Sequence, residues 1–152
     1  IELSEDGLSL KSGSSPVQIA GTAYEGTYIH KRGGYYYMFA SIGSCCEGLK
    51  STYTTVVGRA TSLFGPYLDK KGQSMMDNHH EILIHKNDSF VGTGHNSEIV
   101  SDNAGTDWLF YHAVSVANPD GRVLMLDKID WIDGWPSVES NSPSVKSEKP
   151  RF

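Results

Sequence analysis

A repeat limits what this chain can become more than any other feature. Tyr28-Ile29-His30 leads to a turn at Lys31-Arg32-Gly33-Gly34 and then to the aromatic run Tyr35-Tyr36-Tyr37-Met38-Phe39-Ala40. A loop follows, then Tyr53-Thr54-Thr55-Val56-Val57-Gly58-Arg59, and Gly65-Pro66-Tyr67 closes the series with a short outer strand. The plan recurs as Glu98-Ile99-Val100, a turn at Asp102-Asn103-Ala104-Gly105, Asp107 to Ala113, a turn at Asn118-Pro119-Asp120-Gly121, Arg122 to Asp127, and Gly134-Trp135-Pro136. The two closing elements lie 69 residues apart, Gly65 to Gly134. Repeated four-stranded antiparallel units are how propeller blades are written in sequence. The spacing exceeds the roughly 40–50 residues of the common propellers, so the inter-strand loops are expected to be long. A β-sandwich could use the same strands, but it has no reason to repeat a closing motif.

The fold class expected is therefore all-β, with two to three blades over residues 1–136 and a polar tail over 137–152. The tail is rich in Ser, Pro and Lys and is expected to carry no structure of its own. Sixteen Gly and eight Tyr suit strands and tight turns, and no window shows sustained helical spacing of apolar residues. An open arc of blades leaves unpaired sheet edges, so a partner segment is expected to close the ring. The opening Ile1-Glu2-Leu3 reads as the tail of a strand, which points to further blades upstream.

Charge narrows the partners. Thirteen Lys and Arg against eighteen Asp and Glu give a formal charge of −5, which argues against nucleic acid or an anionic membrane. A neutral ligand such as a sugar chain fits, and no apolar run approaches a membrane span. The two cysteines, Cys45 and Cys46, are adjacent. A bridge between neighbours is rare, so free thiols are expected and the redox compartment stays open.

Several residues could carry chemistry. Glu25 stands directly ahead of an inner strand, beside Tyr24 and Tyr28. Inner-strand ends of a propeller meet at the central channel, where partial desolvation would keep a carboxylic acid protonated and able to donate. An exposed loop glutamate is the plainer alternative. His95, in Gly92-Thr93-Gly94-His95-Asn96-Ser97, holds the comparable position in the next blade. A histidine lining a channel can hold a metal or bond a substrate, although a lone one is more often structural. The Gly-x-Gly here is not a phosphate loop, because no helix follows. Nothing near Ser44-Cys45-Cys46-Glu47-Gly48 arranges a cysteine nucleophile, which leaves packing or a place in a binding cleft. His79-His80-Glu81 with His85 has spacing one residue too long for a helical zinc motif and is expected to be solvated loop. Asn87-Asp88-Ser89 is a formal glycosylation sequon.

The run from Glu25-Gly26-Thr27-Tyr28-Ile29 through Gly34 to Ser41 resembles the stretch of glycoside hydrolase family 43 in which the general acid opens a blade. The family often has Gly-Pro or Ala-Pro after that Glu, where this chain has Gly26-Thr27. Ser41 to Gly48 with the paired cysteines, Ser51-Thr52-Tyr53, Val56-Val57-Gly58-Arg59 and Gly65-Pro66-Tyr67 are similar to its arabinanase branch. Gly94-His95-Asn96-Ser97, Tyr111-His112-Ala113, Trp131 and Asp133-Gly134-Trp135-Pro136 complete a resemblance that runs from Ile1 to Pro136.

That resemblance implies the C-terminal half of a five-bladed propeller that hydrolyses α-1,5-linked arabinan with inversion. Glu25 would be the acid, Tyr24 and Cys45 would line the substrate cleft, and His95 would face a channel metal, calcium, held largely through waters. The base and modulator aspartates would come from earlier blades. α-L-Arabinofuranosidase and β-xylosidase are the rival activities of the same propeller, and a non-catalytic carbohydrate-binding remnant is the reading if the chain acts alone. Polysaccharide degradation implies a secreted or periplasmic protein.

Overall fold

A computed structural model describes residues 1–152. The chain folds as two antiparallel sheets. The first blade comprises β1 (Glu25–Arg32), β2 (Tyr35–Ile42), β3 (Thr54–Ala60) and β4 (Glu81–Ile84), hydrogen-bonded in that order. The second comprises β5 (Phe90–Gly94), β6 (Ile99–Ser101), β7 (Asp107–Ser115), β8 (Arg122–Ile132) and β9 (Trp135–Ser137). Residues 1–24 contribute only a bridge between Leu3 and Leu10, so this chain holds two blades rather than three.

The strands form where period-2 alternation lets each sheet bury both faces. Along β2, Tyr37 and Phe39 point between the blades, while Met38 and Ala40 point to the far face of the first blade. The inter-blade core joins Tyr37, Phe39, Val57, Leu83 and Ile84 to Ile99, Leu109, Tyr111, Ala113, Met125 and Ile129. Burying a large side chain completely is worth about 1.5–3 kcal/mol, so this layer is what sets one blade against the other. The second cluster, around Val56, Tyr67 and Met75, is capped by Ile19, Ala20 and Tyr24.

Two strand assignments differ from the sequence reading. The outer strand of the first blade is β4, not Gly65-Pro66-Tyr67. The free edge of β3 is shared: Arg59 exchanges backbone bonds with Leu68, and Thr55 to Val57 pair with β4. The segment at Gly65-Pro66, which has a cis peptide, contributes only the Leu68 bridges. In the second blade the inner position is held by β5 and β6 in series, both along β7. The residues between them, His95 to Glu98, depart from the regular ladder and keep one bond to it, from the Ser97 N–H to the Phe110 carbonyl.

The tail is ordered, contrary to expectation. Val138 is buried in the inter-blade core, and Asn141 Nδ2 donates to the carbonyls of Ile82 and Leu83. Ser144 N–H donates to Asp127, and Arg151 N–H donates to Asp102 Oδ2 at 3.1 Å. Polar composition did not prevent order because both blades present carbonyls and carboxylates for the tail to bond. The sequon Asn87 belongs to the same system, with its amide donating to Ser142 Oγ and the Pro143 carbonyl.

Candidate active site

Both blades break their inner strand at the same level. In β1 the register with β2 slips between Glu25, opposite Ser41, and Tyr28, opposite Phe39. Gly26 occupies the slip with φ +57, a left-handed conformation that suits glycine. In the second blade the register slips between Val91 and Gly94, with Gly92 at φ 64, and the inner strand is interrupted again between Gly94 and β6, where His95 adopts φ 50. The two breaks meet. A Cβ on Gly26 would lie 3.0 Å from the His95 ring, so the absence of a side chain at 26 lets the imidazole pack against the backbone beside Glu25. The two residues singled out from sequence are thus brought together, through a bulge in each blade.

A second layer lies behind them. The His95 N–H donates to Ser41 Oγ at 2.7 Å, and Ser41 is fully buried. The Tyr53 ring, 1% exposed, fills the space above Gly94, where any Cβ would collide with it. His112 stacks on Tyr53 with ring centroids 5.7 Å apart and lies 6.3 Å from the His95 ring. Its Nε2 is 3.4 Å from Arg122 Nη1, and burial, then Arg122 and His95, push the imidazole below its ordinary pKa. His112 Nδ1 and Asn96 Oδ1 are buried without partners, an arrangement that costs stability and collects at working sites. Glu25 and His95 themselves are exposed, so the desolvation expected around Glu25 is not supplied by these two blades.

Cys45 and Cys46 are joined as a disulfide, which corrects the expectation of free thiols. Their loop is folded tightly enough to bring the sulfurs together. Ser51 Oγ donates to the Ser44 carbonyl, Thr52 N–H donates to the same oxygen, and Ser44 N–H donates to Thr52 Oγ1. The bridge lines a cavity of about 240 Å³ with Val114, Pro119 and Arg122. Tyr24 is placed differently from the cleft position expected of it. Its ring packs on the second core cluster, and its hydroxyl contacts the His79 carbonyl and His80 Nδ1 at 3.1 and 3.0 Å. Burial, with Asp69 nearby, pushes that phenol up to about 12. His79-His80-Glu81 is only partly loop, because Glu81 opens β4 and accepts from the Lys70 N–H.

The sequence profile of glycosyl hydrolases family 43 matches residues 1–136. The chain belongs to that family. It is 43% identical over 122 residues to an extracellular exo-α-(1→5)-L-arabinofuranosidase of Cellvibrio japonicus, covering 79% of this chain and 35% of that protein. It is 40% identical over 118 residues to an extracellular endo-α-(1→5)-L-arabinanase of Bacillus subtilis, covering 77% of this chain and 35% of the relative. In structure it is similar to the α-L-arabinanase of Cellvibrio cellulosa complexed with arabinohexaose, with TM-score 0.84 and 34% identity, covering 91% of this chain and 49% of that one. This family 43 chain therefore spans about a third to a half of the proteins it matches, and its two blades correspond to part of a five-bladed propeller.

Sequence reasoning assigned no role to Ser41, Tyr53, Asn96, His112 or Arg122. A signal for Ser41 was available, since a short hairpin after β1 makes it the cross-strand partner of Glu25. Tyr53 and His112 could not have been paired in advance, because their contact crosses between blades.

Proposed function

We propose that this family 43 chain contributes the acid-bearing part of a propeller that hydrolyses α-1,5-linked L-arabinofuranosyl chains with inversion. The observation that carries this reading is the packing of the His95 ring on Gly26, next to Glu25, where the inner strands of consecutive blades are interrupted. The relatives named for action on α-(1→5)-L-arabinan supply the substrate class. Glu25 protonates the glycosidic oxygen as its bond to the anomeric carbon breaks. A carboxylate from the remaining blades draws the proton from a water on the opposite side of the sugar, about 6.5–9.5 Å away. Three further blades would close the ring and cover the edges that two blades leave open. Cys45 stands at the wall of the cleft, and Tyr24 supports the strand that carries Glu25.

A channel calcium would take little from this chain. Calcium prefers six to eight oxygen ligands. These blades offer the His95 imidazole and the unpartnered Asn96 Oδ1, and no three His, Cys, Asp or Glu side chains converge. That donor set alone does not fit calcium, and no step here is routed through one. Secretion, to the periplasm or beyond, is supported by the extracellular relatives and by a disulfide that persists where thiols are oxidised.

The test is the anomer first released from linear α-1,5-arabinan, followed by proton NMR before mutarotation. Inversion gives the β-anomer, and the α-anomer would overturn the reading. Exo action, favoured by the resemblance to the Cellvibrio relative, shows as short products of one length from the start, whereas endo action shows as a falling ladder of oligosaccharides.

A further inference from the structure

A row of buried hydroxyls runs under the site, from blade to blade. Ser41, Thr55 and Thr93 are all fully buried. Thr55 Oγ1 donates to the Thr93 carbonyl at 3.2 Å, and Thr93 Oγ1 donates back to the Ile84 carbonyl at 3.2 Å. Ser41 Oγ accepts from the His95 N–H at 2.7 Å. Ser51 Oγ ends the row against Gly92, where a Cβ would come within 2.6 Å of it. These contacts fall on Gly92 to His95, where β5 slips register against β7 and then ends. A strand that leaves its own ladder must satisfy its backbone elsewhere, and here hydroxyls of the first blade take up the Thr93 carbonyl and the His95 N–H.

The bond at Ser41 bears on the chemistry. His95 holds φ 50, a conformation that a residue with a side chain keeps only where its surroundings impose it. Its ring lies on Gly26 next to Glu25, and Ser41 is the cross-strand partner of Glu25. One buried side chain therefore ties the strand position of the acid in the first blade to the backbone of His95 in the second. We infer that Ser41 is a positioning residue for the hydrolysis: by accepting from the His95 N–H, its hydroxyl fixes the left-handed turn and sets the imidazole beside Glu25. The inference rests on reading Glu25 as the general acid. Ser41 touches no sugar and exchanges no proton with one. Thr55 bonds two residues back, at Thr93, and its part is structural.

Ser41→Ala and Thr55→Val, made in the complete propeller, separate the two roles, because each deletes one buried hydroxyl from the same row. Both should lower the melting temperature. On linear α-1,5-arabinan, Ser41→Ala is expected to lose about tenfold in kcat with KM within about twofold, since small misplacements at a site are costly, while Thr55→Val loses less than about twofold in kcat. Equal losses of kcat in the two variants would mean a packing role and would overturn the inference, as would an unchanged kcat in Ser41→Ala. NMR of the histidine-labelled propeller gives a readout free of activity, with the His95 ring signal assigned from the His95→Gln spectrum. Ser41→Ala should displace that signal and Thr55→Val should leave it in place; an unmoved signal in Ser41→Ala would overturn the positioning. If Glu25→Gln leaves arabinan cleavage intact, the acid reading fails, and the NMR comparison still decides whether Ser41 places His95. If Glu25→Gln abolishes cleavage while Ser41→Ala does not slow it, only the positioning role fails.

Discussion

The two ends of the blades are built on opposite terms. At the end carrying the β1–β2 turn, polar side chains are bonded both within the second blade and across the two blades. Arg32 Nη1 donates to Asp107 Oδ2 at 2.8 Å, the Trp131 indole donates to the same oxygen at 2.7 Å, and Ser101 Oγ donates to the other. The Arg32 guanidinium also lies over the Trp131 ring, 4.8 Å from its centroid. Nearby, Tyr37 Oη and Arg59 Nη1 both donate to the Gly134 carbonyl, and Arg59 is sandwiched between Tyr35 and Trp135. At the Glu25 end, two left-handed residues interrupt the strands and two buried polar atoms lack partners. One end holds the blades together; the other, where the proposed acid stands, keeps two polar atoms unpaired. Stability and chemistry should therefore separate cleanly along the strand axis.

Breaking the satisfied end should cost most. Asp107→Ala removes the buried acceptor of the part-buried Trp131 indole N–H and of the part-exposed Arg32, so a loss of about 1–3 kcal/mol is expected in denaturant unfolding. A loss under about 0.5 kcal/mol would mean the inter-blade apolar core does the joining alone. The tail comes next. Val138→Ala removes two methyls from that core and should cost about 1–2 kcal/mol by the same measurement. An unchanged midpoint would show that the tail merely lies on the blades.

Acid should also act through the satisfied end. Burial alone would push the Asp102 carboxyl up, but N–H donation from Arg151 and Thr106, the Trp108 indole and the Ala104 N–H hold it at about 2. Its folded pKa is below the ordinary value of 3.8, so its contribution is complete above pH 3.8 and is lost as pH falls towards 2. Thermal melts between those values should show a falling midpoint, and Asp102→Asn should flatten that part of the profile. An unaltered profile would remove Asp102 from the account. The smallest stability change is expected at the open end, where His95→Ala should shift unfolding by no more than about 0.5 kcal/mol because the side chain is exposed.

The repeat made the blades legible, and Glu25 and His95 with them, because strand order and inner-strand position follow from periodicity. The repeated Gly-Pro closure misled in detail. Trp135-Pro136 does lie in the outer strand, with Gly134 in the turn before it, whereas Gly65-Pro66-Tyr67 precedes a loop that leads to β4. An edge shared by two segments has no one-dimensional signature. Tail order and the Cys45–Cys46 bridge escaped for a related reason, since both depend on backbone bonds to distant or tightly turned residues. Tyr24 shows the limit of adjacency, because neighbours on an extended chain face opposite ways, and its hydroxyl went to the His79-His80 loop.

The central claim is that the open end houses the acid. Glu25→Gln in the complete propeller, assayed on linear α-1,5-arabinan alongside a melting curve, tests it most directly. The account predicts a loss of kcat of about a hundredfold or more with an unchanged melting temperature. Full activity in the variant, or a loss that merely tracks unfolding, would contradict it.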